Sequence, residues 1–139
     1  MAKMGSYQLK VVGFVESPIK KRKDSPMQGY EGAPEAWVRI VPAFARAAEG
    51  LAAGDEIILL SWLHQARRET LKVHPRSDKN LPLTGVFATR SPDRPNPIGL
   101  HRVTVLDVDK DRLKVGPLEV IDGTPIVDIK PVLRKSSDS

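Results

Sequence analysis

The sequence predicts a mainly β protein: one domain, built as a closed or nearly closed antiparallel barrel with one short helix. Three observations point there. Short apolar runs recur along the 139 residues, punctuated by 10 glycines and 12 prolines. Only one stretch carries its apolar residues at helical spacing. No strand-like run is followed by G-x-G-x-x-G and a helix, so a nucleotide-binding βαβ unit is absent. Short strands without crossover helices bury their edges best by closing on themselves.

In chain order, residues 8–15 read as a first strand, stopped by Ser17-Pro18. A polar loop follows over residues 20–33, with Pro26, Gly29 and Gly32 and too little apolar material to pack by itself. Residues 37–41 form a second strand. Pro42 then opens the short helix, with Phe44, Ala47, Ala48 and Leu51 at helical spacing and Gly54 ending the region. Residues 56–63 read as a buried strand from their continuous apolar run. Residues 70–73 and 85–89 are two further strands joined by a loop rich in Pro, Asp and Asn. Residues 101–108 alternate through Val103 and Val105, and Asp109-Lys110-Asp111 turns the chain into a strand over 112–115. Residues 118–121 lead to the turn Asp122-Gly123, where glycine supplies a positive φ. A last strand over 126–129 closes the pattern, and residues 134–139 are expected to be a disordered tail.

Composition narrows the function classes. The length suits a single core. The absence of cysteine excludes disulfides, thiolate metal sites and cysteine nucleophiles, and no metal-ligand spacing of histidine or carboxylate recurs. No apolar run approaches the length needed to cross a bilayer, and residues 1–7 lack the apolar stretch of a signal peptide. The expectation is a cytoplasmic protein that uses neither membrane nor metal. The net charge of +5 gathers in two clusters, residues 20–23 and a looser set of Arg67, Arg68, Lys72, Arg76 and Lys79. Such surfaces attract phosphate backbones without reading sequence.

The densest chemistry lies in Gly85-Val86-Phe87-Ala88-Thr89-Arg90-Ser91-Pro92-Asp93-Arg94-Pro95-Asn96 and the following Pro97-Ile98-Gly99-Leu100. Pro92, Pro95 and Pro97 each fix their own φ and bias the residue before them to extended conformations. Arg90, Arg94 and Asn96 therefore stand on a backbone with little freedom left to lose on binding. Two guanidiniums and an amide so held suit a carboxylate, a phosphate or a base edge. By themselves these residues also fit a proline-rich turn with solvated arginines.

This run resembles the signature of the TsaA/TrmO family, G-[AV]-F-[STA]-x-R-[SA]-x-x-R-P-N, and meets every fixed position. The similarity extends to Trp62-Leu63-His64-Gln65 upstream and to Ile121-Asp122-Gly123-Thr124-Pro125-Ile126-Val127-Asp128-Ile129-Lys130-Pro131 downstream, from about Leu9 to Leu133. The resemblance implies an S-adenosylmethionine-dependent tRNA methyltransferase acting on the exocyclic nitrogen of threonylcarbamoyladenosine beside the anticodon. It also implies a homodimer, with the cofactor bound on a β-barrel near the subunit interface.

Site residues follow from the same resemblance. Pro26, Met27, Gln28, His64, Gln65, Arg90, Leu100, Asp122, Gly123, Thr124 and Pro125 are expected at the cofactor. Family members carry Pro-Arg-Gln where this chain has Pro26-Met27-Gln28, and a thioether cannot replace the paired donors of a guanidinium. Arg94 and Asn96 are the expected substrate contacts. The threonyl carboxylate offers an anionic handle to Arg90 or Arg94. Asp122 and Asp128 are the candidate proton acceptors, and spacing does not choose between them. Trp37 and Trp62, in apolar strands, are expected in the core. His74 and His101 have no partner readable from spacing.

Two rival readings stay open from sequence: a methyltransferase acting on another substrate, which Met27 favours, and a barrel that holds S-adenosylmethionine or RNA without turnover.

Overall fold

Six strands close into an antiparallel barrel, and a two-stranded arm stands beside it. The computed structural model describes residues 5–19 and 34–133. The strands are β1 (Gly13–Glu16), β2 (Ala36–Ile40), β3 (Glu56–Trp62), β4 (Lys72–Val73), β5 (Thr84–Gly85), β6 (Ile98–Asp109), β7 (Arg112–Gly116) and β8 (Pro125–Pro131). Around the barrel the order is β1, β2, β7, β6, β3, β8, with β8 returning to β1. β4 and β5 pair with each other as a separate two-stranded sheet.

Alternation explains the core. On β3, Ile57, Leu59 and Ser61 point inward, and on β6 the inward register continues through Val103 and Val105. Val38, Val115 and Ile126 complete the interior from β2, β7 and β8. Residues 42–48 form a short 3-10 helix opened by Pro42. Phe44, Ala48 and Leu51 lean on the core from there, as their spacing predicts. Two one-turn 3-10 segments, Pro75–Ser77 and Val86–Ala88, lie in and after the arm.

Several elements differ from expectation, each for a local reason. β1 is four residues long, because its ladders to β2 and β8 both end at Gly13. Residues 86–88 are a turn instead of a strand. The Val86 carbonyl accepts from Thr89 N (3.0 Å), Thr89 Oγ1 (2.9 Å) and Arg94 Nη2 (2.8 Å), which curls the chain at once. Residues 118–121 bury Leu118 and Val120 without joining a ladder. Neither tryptophan is in the core. Both face outward from their strands, with Arg112 over Trp37 (4.4 Å) and Arg68 over Trp62 (5.0 Å). A cation on the ring face shields apolar area that the strand parity leaves outside.

The predicted tail, the basic cluster at residues 20–23 and the block Pro26, Met27, Gln28 lie outside the described residues.

Candidate functional site

Register brings three separated blocks to one end of the barrel. Trp62, the last residue of β3, pairs with Ile98, the first of β6. Ser61 pairs with Ile126, one residue into β8. The chain leaving β3, the loop entering β6 and the turn entering β8 therefore emerge side by side. They carry His64-Gln65, Arg90 to Asn96, and Asp122 to Pro125 respectively.

His64 and Gln65 are the exposed central positions of a turn closed by Ala66 N donating to Leu63 O at 2.9 Å. The same segment is laced to the proline-rich loop. Leu63 N donates to Pro97 O (2.8 Å), Arg94 N to Arg67 O (3.0 Å) and Arg67 N to Asp93 Oδ1 (2.9 Å). Arg68 adds its side chain, with Nε to Pro95 O (2.8 Å) and Nη2 to Asn96 Oδ1 (3.1 Å). Prolines set the local shape of the loop, and these bonds set its place.

Within the loop the two arginines differ. Arg94 turns back on the chain: Nε donates to Ser91 O (2.7 Å), and Nη2 to Val86 O (2.8 Å) and Thr89 O (2.5 Å). A guanidinium spread over three carbonyls holds the loop's curl. Arg90 is exposed at the same turn, and among the described residues it forms no ion pair. Asn96 is exposed, with its amide oxygen taken by Arg68.

The Asp122 turn is anchored to β1 and the segment after it. Asp122 N donates to Ile19 O (2.6 Å), Gly123 N to Val15 O (2.7 Å), and Ser17 N to Asp122 Oδ1 (2.9 Å). Thr124 is buried, its hydroxyl donating to Ile121 O at 2.6 Å. Gly123 has φ 85°, as its turn requires, and no described residue lies within 4 Å of the place a Cβ would occupy. The inside of this turn is fastened to the barrel, and Gly123 itself is exposed among the described residues.

Leu100 and Asp128 lie just below the rim on the outer wall, where both pair with Leu60. Asp128 is already engaged: Oδ1 accepts from Ile129 N (2.9 Å), and Oδ2 lies 3.2 Å from Lys130 Nζ. Among the described residues no three His, Cys, Asp or Glu side chains gather in a way that could hold a metal ion, and no helix is long and apolar enough to cross a membrane.

One constellation escaped the sequence reading. His101 and Ser61 both face into the barrel just beneath the rim, with Ser61 Oγ 2.7 Å from His101 Nε2. Burial pushes the imidazole pKa down to about 4, so the ring is neutral at pH 7. Gly99 lies between them; a Cβ there would come within 2.5 Å of Ser61 Oγ and 2.7 Å of His101 Nε2. Strand parity carried back from Val105 and Val103 places His101 inside, which was the available signal. At the same level β8 bulges past β3, between the pairs Leu60–Asp128 and Ser61–Ile126. A bulge re-aims the strand beside a site.

Taken together, the rim presents the His64 imidazole, the Gln65 carboxamide, the Arg90 guanidinium and the Gly123 turn. The donors and acceptors of such a set match an adenine edge, ribose hydroxyls and a carboxylate.

Comparison with known proteins gives this rim a family. The chain matches the model of the tRNA-methyltransferase O N-terminal domain over residues 14–139. It is 42% identical over 124 residues to a probable S-adenosyl-L-methionine-binding protein of Methanothermobacter thermautotrophicus, covering 89% of this chain and 88% of that one. It is 38% identical over 141 residues to the tRNA (adenine(37)-N6)-methyltransferase of Escherichia coli, covering 94% of this chain and 59% of the relative. The crystal structure of TrmO from Pseudomonas aeruginosa matches the fold with a TM-score of 0.74 and 26% identity, over 99% of this chain and 62% of that one. This chain thus spans about three fifths of the length of the latter two proteins. With the family model matched from β1 onward and the barrel shared, the chain belongs to the tRNA-methyltransferase O N-terminal domain family.

Proposed function

We propose that this protein transfers a methyl group from S-adenosylmethionine to the exocyclic nitrogen of threonylcarbamoyladenosine, next to the anticodon of tRNA. One observation carries the reading. The intact signature loop, the His64-Gln65 turn and the Asp122-Gly123-Thr124-Pro125 turn, far apart in sequence, share one rim of the barrel. The similarity to the Escherichia coli tRNA methyltransferase supports it.

The donor set fits the cofactor. His64 and Gln65 suit the adenine edge and ribose, and the Asp122 to Pro125 turn offers backbone groups beside them. When bound, S-adenosylmethionine supplies a methyl carbon made electrophilic by its sulfonium. The protein's own task is chiefly to hold the acceptor nitrogen in line, which is catalysis by positioning. That nitrogen belongs to a urea-like group and needs to lose its proton. Of the two candidate carboxylates, Asp122 stands on the rim while Asp128 is paired with Lys130 on the outer wall, so we assign proton acceptance to Asp122, directly or through water.

For the threonyl carboxylate we assign Arg90 instead of Arg94, because Arg94 already serves three carbonyls of its own loop. Asn96, with its oxygen held by Arg68, would donate its amide hydrogens to the substrate. We also propose a homodimer. The outer face of β6 exposes Ile98, Leu100 and Leu106, and a second copy seated there would cover the Leu100 side of the site.

Mass spectrometry of tRNA nucleosides from cells with and without the protein tests the reaction. The methylated threonylcarbamoyladenosine should vanish with the gene. Purified protein should methylate modified tRNA and leave tRNA without the threonylcarbamoyl group nearly untouched. Equal methylation of both would overturn carboxylate recognition, and methylation of neither would favour another substrate or a barrel that only binds.

A further inference from the structure

We infer that the β4–β5 arm is the surface on which RNA docks, with Arg76 and Lys79 at its tip meeting phosphates and Phe87 at its base stacking on an unpaired nucleobase. The inference rests on the tRNA reading above and names where that partner sits.

The first ground is the distribution of unneutralised charge. On the barrel wall, Arg39, Arg102, Arg112, Lys114 and Lys130 are all ion-paired to carboxylates. Between the end of β3 and the start of β6 the pattern reverses. Arg67, Lys72, Arg76, Lys79 and Arg90 are exposed, and among the described residues none of the five forms an ion pair. Among the described residues Lys10, Arg46 and Lys110 also form no ion pair but lie singly elsewhere. The acids in the arm are few, and Asp78 is occupied in shaping the tip, its Oδ1 accepting from Asn80 N at 2.9 Å. Unpaired cations gathered on one element and outnumbering its acids are the electrostatic footprint of a polyanion partner.

The second ground is that the tip is built to hold a shape. His74 Nδ1 lies 3.0 Å from Leu81 O, closing the loop at its neck. Ser77 N donates to His74 O and Asp78 N to Pro75 O, each at 3.0 Å. Arg76 and Ser77 both take left-handed backbone, with φ of 55° and 59°, an arrangement that costs energy in residues other than glycine. The tip exposes Arg76 and Lys79, and neither side chain bonds to another described residue.

The third ground is Phe87. It is 83% exposed, on a turn clamped through the Val86 carbonyl by Thr89 and Arg94. Its backbone neighbourhood is therefore rigid while its ring is free. A rigid, presented aromatic among cations is the platform on which single-stranded bases stack. Leu71 and Leu83 are exposed on the same arm. A protein partner would want the core of this patch depleted of charge, whereas here Lys72 pairs with Gly85, two residues before Phe87, and Arg90 follows it by three, which favours RNA. Arg94 joins this turn to the signature loop, so RNA held on the arm would lie against the proposed methylation site.

Fluorescence anisotropy with the 139-residue chain and a transcript of a tRNA anticodon stem-loop tests this. Arg76→Ala with Lys79→Ala should weaken binding about tenfold at 0.1 M salt and lower the salt slope by about 1–2. Phe87→Ala should weaken it by about five- to a hundredfold with the salt slope unchanged. Affinity for inorganic polyphosphate should fall in the first variant and stay constant in the second. S-adenosylmethionine affinity should stay constant in both. Unaltered RNA affinity in the variants, with tRNA still methylated, overturns the arm and leaves the reaction standing. A Phe87→Ala protein whose mass by light scattering halves while RNA binding persists overturns it in favour of an interface between copies. RNA binding that depends on the arm, with no tRNA methylated by the parent protein, supports the arm and overturns the reaction.

Discussion

Gly99 shows how one position sets the rim. It sits where β3 and β6 pair at Ser61, and the Ser61–His101 hydrogen bond passes through the space its missing side chain leaves. Gly99→Ala would push both partners away and is expected to cost about 1–3 kcal/mol by overpacking and loss of that bond. Urea titration checks this, and the cost should shrink when Ser61→Ala is already present, since the two changes share one contact. His101 predicts a pH signature. Unfolded, it titrates near 6.5; folded, near 4. Between those values the unfolded chain binds a proton that the folded one refuses, so stability falls as pH drops through that window and levels below it. The effect is up to about 3 kcal/mol. In His101→Gln this part of the pH dependence should disappear, read as a flatter urea midpoint between pH 7 and 4. At the rim, His64→Ala should weaken S-adenosylmethionine binding by about 1–2 kcal/mol, the scale of one lost hydrogen-bonding group. Calorimetry finding unchanged affinity in the folded variant would remove His64 from the pocket.

At the scale of elements, the proline-rich loop is rigid for two reasons that the residues divide between them. Prolines restrict φ, while Arg94 and Arg68 bind the loop to itself and to the segment after β3. Arg94→Ala should therefore release the loop. Amides of residues 86–91 should exchange faster, and global stability should drop by roughly 1.5–3 kcal/mol, the range for charge-assisted bonds. Arg94→Lys should recover only part, because an ammonium cannot span three carbonyls in a plane. If Arg94 instead contacts substrate, exchange will stay slow while methylation falls. The strands of the barrel were legible because parity and turn residues agree along each of them, as in β3 and the Lys110 turn between β6 and β7. The turn at residues 86–88 was not, because its cause is an arginine that acts through space on a carbonyl eight residues earlier.

For the whole molecule, the interior of the six-stranded barrel is filled by Val38, Ile57, Leu59, Val105, Val115 and Ile126, which leaves the rim as the place for a ligand among the described residues. A second copy on the β6 face would add a wall to that site. Light scattering at micromolar concentration should give about twice the 15.3 kDa chain mass. Replacing Ile98 and Leu106 together by lysine should return a monomer with weaker cofactor binding. A chain that stays monomeric, or binds the cofactor equally well as a monomer, would remove the interface from the site.

The sequence by itself determined the fold class, the family and most residues of the rim. Those rest on local properties: strand alternation, glycine and proline at turns, and a twelve-residue motif that survives being read in one dimension. It also located the cations of the arm. Tertiary structure alone decided which end of the barrel gathers the motifs, because that depends on the register of β3 against β6 and β8. It turned Arg94 inward and left Arg90 outward, set both tryptophans on the outer wall, and joined His101 to Ser61 across two strands. Each of these is a contact between residues distant in sequence, and neither composition nor spacing carries the distance between their atoms.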